Sequence, residues 1–469
     1  MQHSAPYWTW FCLLLLVGVP AHRTQASTTP NFVIIVADDL GWRDPGFMGS
    51  DYHRTPHLDR LASEGLVFEQ AYANAAVCAP TRAALLSGMY NVRTGVYTVG
   101  RGPSNVEELP LKTPRNVSSL DGGIVTLPEV LQDAGYATGH FGKWHLGRAT
   151  GATGPEANGF DVSVGASRGG GTRTYFAPYG ISSLDRDAPE GEYLTDRLTD
   201  EAIRFVEDHR EEPFFLWLAH YAVHTPIEAD PDVLDEVSTW PIGDLHNNAE
   251  YAAMLASLDA GVGRLLDALE TAGVSDNTVV VFVSDNGGGR RVTSMAPLKG
   301  RKGSLSEGGI RVPCVVRYPD VIEPGRQTDT PVLLFDLYPT LLEFAGARPP
   351  RGQPIDGVSW VPLLRGKTNT LKTRNLVWHL PLYRTSPRGN VTGKPTAVLR
   401  RDRWKLIHDF ETGTSELYDL QEDIGETKDL AATRIGTVRL LERELNTWQR
   451  TTDAPVPSAN AAYDRTGAP

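Results

Sequence analysis

The first clear pattern along the chain is an unbroken apolar run, Asn31-Phe32-Val33-Ile34-Ile35-Val36-Ala37, which stops at Asp38-Asp39. A strand without polar alternation is one buried on both faces, as in a parallel sheet covered by helices. Similar runs occur at 213–218 and 278–283, and 136–143 also reads as a strand. Between them the spacing turns helical. Thr126-Leu127-Pro128-Glu129 has the form of a capping box with proline inside the first turn, and the helix it opens should stop at Gly135. Further helices are read at about 194–210 and 250–272. This alternation predicts an α/β fold, a large, mostly parallel (mixed) sheet sandwiched by helices. In such sheets ligands gather beyond the carboxyl ends of the strands.

The pattern changes near residue 371. A hairpin at 397–407 with its turn at Arg401-Asp402, a short strand at 416–420 and helical spacing near 438–448 predict a smaller C-terminal α+β subdomain, an antiparallel sheet plus a helix. The Gly/Pro-rich stretch 346–354 reads as a surface loop ahead of it, and the last residues as a loose tail. The expected organisation is a targeting segment at 1–27, a main domain at 28–370, and the C-terminal subdomain and tail at 371–469.

Composition narrows the class. With 469 residues, 41% hydrophobic and 22% charged, the chain can bury an ample core. A net charge of -12 argues against nucleic acid as the main partner, although a local basic pocket can still take a small anion. The apolar run at 10–19 is too short to span a bilayer comfortably, and Thr24-Gln25-Ala26 before Ser27 suits a cleavage site. No Lys or Arg precedes the run, so a retained anchor or a start assigned too far upstream are the alternatives. The expectation is an exported protein, periplasmic or extracellular, with no membrane attachment once the segment is cleaved. Of three cysteines, Cys12 would leave with that segment. A Cys78–Cys314 bridge is one reading. The apolar setting of Cys314 favours a buried thiol, which leaves Cys78 without a partner.

Polar residues gather where the strands end. Asp38-Asp39 and Asp285-Asn286 each follow an apolar strand. Adjacent carboxylates repel unless something positive lies between them, and this all-oxygen set suits Ca²⁺ or Mg²⁺ rather than zinc. Either pair alone is equally a turn sequence. Lys143 and His145 follow a strand in Gly-Lys-Trp-His-Leu-Gly, His224 follows another, and Lys302 precedes Glu307-Gly308-Gly309. Together these cations could hold a tetrahedral oxyanion and protonate a leaving group. Arg168, Arg173, Tyr175 and Tyr179, in the loop 165–183, and the region 378–383 are candidates for the pocket rim.

Cys78-Ala79-Pro80-Thr81-Arg82 resembles the signature of the formylglycine-dependent sulfatases, a family of the alkaline phosphatase superfamily, and Gly142–Gly147 resembles that family's second signature. Asp38-Asp39, His224, Asp285-Asn286 and the Lys302 segment fall in the family's order. The resemblance implies an alkaline-phosphatase-like fold and a sulfatase cleaving an aryl sulfate or, more in keeping with export, a sulfated carbohydrate. It implies that a formylglycine-generating enzyme oxidises Cys78 during maturation. The aldehyde hydrate then attacks sulfur and later collapses to expel sulfate. By the same resemblance Asp38, Asp39, Asp285, Asn286 and the modified Cys78 hold a cation, Ca²⁺ or else Mg²⁺. Arg82 and Lys143 stabilise the hydrate, His145 assists elimination, and His224 and Lys302 bind sulfate, one of them protonating the alcohol. Ser163 and Ser167 are candidates for a further family role, with no clear match. A phosphodiester or phosphonate ester hydrolase of the same superfamily, and a non-catalytic carbohydrate-binding relative, are the rival readings.

Overall fold

The computed structural model describes residues 1–3, 29–100, 109–167, 169–289, 292–385 and 390–463. Most of the expected targeting segment, Arg168 and the end of the tail lie outside the described residues. The first apolar run is strand β1 (Asn31–Ala37), with all seven residues buried. Its alternate residues enter two cores. Phe32, Ile34 and Val36 pack on one side of the sheet, and Val33, Ile35 and Ala37 on the other. Helix α1 (Pro56–Ser63) and strand β2 (Leu66–Phe68) follow. Next come α2 (Cys78–Ser87) and α3 (Leu127–Asp133). Both halves of the capping box form at Thr126 and Glu129, and Gly135 turns the chain at φ +88°.

Strands β3 (Ala137–Gly142) and β4 (Val162–Val164), helix α4 (Leu194–Asp208), strand β5 (Phe214–Ala219), helix α5 (Ala249–Thr271) and strand β6 (Thr278–Ser284) continue the alternation. With β7 (Cys314–Arg317) and β8 (Arg326–Thr328) they build an eight-stranded sheet in the order β8-β2-β7-β6-β1-β5-β3-β4. Pairing is parallel except where β7 meets β6 and β2. Residues 285–313 leave and re-enter the sheet at the same end, so β7 has to descend. The expected α/β class, mostly parallel and mixed, is the one observed. Cys314 lies in β7 opposite Val283, and Cys78 and Cys314 are both free and buried, so no bridge links them.

The C-terminal sheet is antiparallel, in the order β9 (Leu376–Leu380), β10 (Thr396–Arg401), β11 (Trp404–Asp409) and β12 (Thr414–Asp419). Arg401 pairs with Trp404, so the hairpin turns on Asp402-Arg403, one residue later than expected. Asp402 takes φ +52°, which a short polar side chain tolerates better than the arginine before it. Helix α6 (Ile435–Thr451) buries Leu441 and Leu445 in a core shared with Trp378, Leu399 and Leu406 of this sheet and Tyr72 and Ala84 from the main sheet's side. The two sheets are therefore joined by packing.

A buried ionic junction also joins them. Lys405 Nζ lies 2.8 Å from Glu307 Oε1 and 2.9 Å from Glu426 Oε1, and Tyr72 donates to Glu307 Oε2 at 2.7 Å. Burial pushes Glu307 up, but Lys405, Arg400 and Arg311 outweigh it and hold the carboxyl down at about 2. Glu426, facing the same ammonium, is instead pushed up by burial and by Glu307. Removing a single partner strands a buried charge, so Lys405→Met should cost about 3–5 kcal/mol in urea unfolding. A lowered carboxyl contributes its stability above the unfolded value of 4.5 and loses it as pH falls through about 2. The gap between wild type and Lys405→Met should therefore narrow across that window.

Candidate active site

Four neighbouring strands, β6, β1, β5 and β3, end at one place, and the polar residues the sequence sets after them meet there. The sheet's hydrogen bonding carries on into the site. Asp285 N donates to Ala37 O at 3.2 Å, Asp38 N to Ala222 O at 2.9 Å, and Lys143 N to Ala219 O at 2.8 Å. Gly142, φ +102°, ends β3 where an added Cβ would lie 2.0 Å from Ala219 O, so only glycine lets the two backbones approach this closely. Asp39 and His145 hold φ +62° and +63°, unusual for residues with a Cβ.

The floor is built of buried opposite charges. Arg82 Nε and Nη2 donate to Asp285 Oδ2 at 2.9 and 2.8 Å, and its Nη1 donates to Lys143 O at 2.6 Å. Lys143 Nζ pairs with Asp38 Oδ2. These four side chains are at most 1% exposed. Burial pushes Asp38 up, yet Lys143, His224, Arg82 and Lys302 outweigh it and hold this carboxyl well below the usual range. Burial, helped by the Asp38 charge, pushes Asp285 up. The two carboxyls are thus pushed in opposite directions although each is paired with a cation.

The oxygens left without partners fit a cation. Asp38 Oδ1 and Asn286 Oδ1 are buried without a hydrogen-bond partner. Ligand atoms of Asp38, Cys78 and Asp285 lie within 4.8 Å of one another, as do those of Asp38, Asp39 and His224. Hard oxygens dominate the set, which suits Ca²⁺ or Mg²⁺. Asp38, Asp39 and Asp285 already face Arg82, Lys143 and Lys302. A divalent ion added to these balanced charges leaves the site positive, as binding an anion requires.

Cys78 sits in the first turn of α2, 2% exposed, with Val77 as N-cap. Burial pushes its thiol up, against Lys143 and Lys302. As a thiol it therefore carries little thiolate, in spite of the helix terminus. Lys302 and His224 form the open side. Lys302 Nζ donates to Asp39 Oδ2 at 2.7 Å, and His224 Nε2 lies 3.7 Å from the same oxygen. Burial works against charge on Lys302, but Asp39 outweighs it and raises this group. Their side chains are 22% and 21% exposed, the most accessible of the cationic set that touches the carboxylates.

Several rim candidates prove to be structural. Tyr175 and Tyr179 are fully buried and cannot reach a ligand. Tyr175 Oη donates to the carbonyls of Tyr221 and His224 at 2.6 and 2.8 Å and so holds the His224 backbone, and Tyr179 Oη donates to Glu192 at 2.8 Å. Trp378, Leu382 and Tyr383 belong to the core at 1% exposure. Ser163 contacts His140 Nδ1 at 3.2 Å, and Ser167 Oγ donates to Gly169 O at 2.9 Å. Arg173 stays exposed. The feature that sequence reasoning missed is Gly170, which packs against His145. An added Cβ would lie 2.0 Å from the ring's Cε1. The run Gly169-Gly170-Gly171 was its only signal.

Known proteins match this chain along most of its length. Residues 30–347 match the family model described as Sulfatase, and 301–450 the one described as N-sulphoglucosamine sulphohydrolase, C-terminal. A sulfatase of Formosa agariphila is 34% identical, covering 87% of this chain and 86% of that protein. The N-acetylgalactosamine-6-sulfatase of Mus musculus is 32% identical over 76% of this chain and 70% of its own. The crystal structure of Ps i-CgsB in complex with k-i-k-neocarrahexaose superposes with a TM-score of 0.76 at 30% identity, covering 94% of this chain and 96% of that one.

Gly170→Ala must displace the His145 ring. If His145 acts in turnover, kcat should fall by about 10²-fold while the melting temperature shifts little, since Gly170 lies in an irregular, partly exposed loop. Steady-state kinetics beside a thermal melt check this.

Proposed function

This chain belongs to the sulfatase family, and from that premise we propose a formylglycine- and calcium-dependent sulfatase that acts on a sulfated carbohydrate outside the cytoplasm. The reaction itself is hydrolysis of a sulfate ester. The observation that carries the finer reading is the convergence of Asp38, Asp39, Arg82, Lys143, Asp285, Asn286 and Lys302 around Cys78 at the ends of four adjacent strands.

The proposed roles are those the family resemblance implies for these positions. Asp38, Asp39, Asp285 and Asn286, with the side chain at 78, would hold the calcium. What calcium would supply there is polarisation of the sulfate and a lower pKa for the nucleophilic hydroxyl. Conversion of Cys78 to formylglycine would supply a hydrated aldehyde as nucleophile, where the present thiol is held protonated. Arg82, anchored on Asp285 and the Lys143 carbonyl, orients this floor and keeps positive charge beneath it. Lys143 does the same from Asp38. His145, whose Nδ1 is buried and unpartnered, would take a proton from the second hydroxyl. His224 and Lys302, on the open side, bind the sulfate oxygens, and one of them protonates the leaving alcohol.

The carbohydrate reading is supported by the hexaose named in the Ps i-CgsB complex and by the amino-sugar named for the mouse relative. No helix among the described residues is long and apolar enough to cross a membrane. Export to the periplasm or beyond rests on the apolar run at 10–19, and maturation would need a formylglycine-generating enzyme as partner.

Two measurements test the proposal. The tryptic peptide spanning 61–82, from a host able to make formylglycine, should lose the mass difference between CH₂SH and CHO, and Cys78→Ala should abolish hydrolysis of an aryl sulfate. An unmodified thiol in active protein would refute it, and faster cleavage of a matched aryl phosphodiester would favour the phosphorus-ester alternative. Calcium should also raise stability in thermal melts, by about 2.7 kcal/mol at a hundredfold excess over Kd. Chelator should reverse this, and Asp38→Asn should show little of it.

A further inference from the structure

A second group of ligand-type side chains lies apart from the site above. We propose that Asp44, His53 and His246 form a structural zinc site that ties the segment after β1 to the segment before α5. One nitrogen of each imidazole and a carboxylate oxygen of Asp44 lie within 4.8 Å of one another. All three residues are buried, at 0%, 5% and 3% exposure. The His53 and His246 ring centroids are 4.7 Å apart with the planes tilted by 48°.

The geometry around His246 is that of a metal ligand. Its Nδ1 lies 2.6 Å from Asp51 Oδ1, which fixes the proton there and turns the Nε2 lone pair inward. Nε2 has no hydrogen-bond partner, although Asp44 Oδ1 is only 3.4 Å away. For metal–ligand bonds of about 2.0–2.1 Å, the edge of a tetrahedron is about 3.3–3.4 Å. A carboxylate behind a histidine that points its other nitrogen at a metal is a recurrent zinc arrangement. Asp44 is braced for the same task. Its Oδ2 accepts from Gly41 N at 2.6 Å and from Tyr251 Oη at 2.5 Å, and Thr293 donates to its Oδ1. His53 Nδ1 lies 3.1 Å from the Asp44 carbonyl and 4.0 Å from its Oδ1.

Two imidazoles and one carboxylate select zinc over calcium, in contrast to the oxygen-rich set at Asp38 and Asp285. Water completes the coordination, and Asp51, 30% exposed, marks the entry side. The bound ion joins the segment carrying Asp44 and His53 to the one carrying His246, and Thr293 is tied in by its hydrogen bond to Asp44. The first of these follows Asp38-Asp39 directly, so the site steadies the segment that carries those carboxylates.

The test uses the untagged full chain, stripped with chelator and loaded with calcium, then titrated with zinc against a chromophoric competitor. One zinc per chain is expected in wild type and in Asp38→Asn. His53→Gln and His246→Gln should each bind more than about 100-fold more weakly, and Asp51→Asn about 10- to 100-fold more weakly. Cobalt(II) in wild type should show the strong visible bands of tetrahedral coordination, a readout that needs no variant to fold. Absence of those bands together with no retained zinc would overturn the proposal, leaving His246 as an imidazolium clamped between Asp44 and Asp51. Equal zinc affinity in folded His53→Gln and His246→Gln would overturn it as well.

Discussion

Four full charges, Asp38, Asp285, Arg82 and Lys143, lie at 0–1% exposure beneath Cys78. Stripping water from such ions costs several kcal/mol each, and the cost is met only by close pairing and by hydrogen bonds to the remaining polar atoms. The pairing has to be built by chain segments far apart in sequence, since Arg82 and Asp285 are 203 residues apart and Lys143 and Asp38 are 105. The sheet solves this by ending β6, β1, β5 and β3 side by side, with backbone hydrogen bonds still linking the first residues beyond the strands.

The rest of the molecule serves that arrangement. Two apolar layers cover the sheet, so the strand ends are held by packing on both faces. Helix α2 delivers Cys78 and Arg82 one turn apart on a helix that is buried throughout. The C-terminal sheet shares a core with Tyr72 and Ala84 and sends Lys405 to Glu307, on the segment that also carries Lys302. On the open side, the side chains of His224 and Lys302 each reach the floor through Asp39.

Much of this could be read from residues in order. The run Asn31–Ala37 is a strand in either view because an apolar stretch of that length, stopped by two acids, has few other places to go. The capping box at Thr126 formed because its hydrogen bonds are local. The signature around Cys78 and the carboxylates after β1 and β6 are likewise contiguous in the chain. Tyr175 and Tyr179 are only rim candidates in the sequence because an amphipathic ring serves a core as readily as a surface, and their burial decides for the core. The hairpin slipped by one residue because a left-handed turn position is chosen by both strands together.

The sequence by itself determined the α/β class, the strand ends that carry the polar residues, and the motifs that show the family, because each rests on periodicity or on short contiguous stretches. The tertiary structure alone decided that Arg82 serves Asp285 and Lys143 serves Asp38, that β7 runs against its neighbours, and that Gly170 packs against His145. It also brought Asp44 beside His246. Each of these depends on which distant segments come to lie within a few ångströms, and that is set by how the whole chain packs.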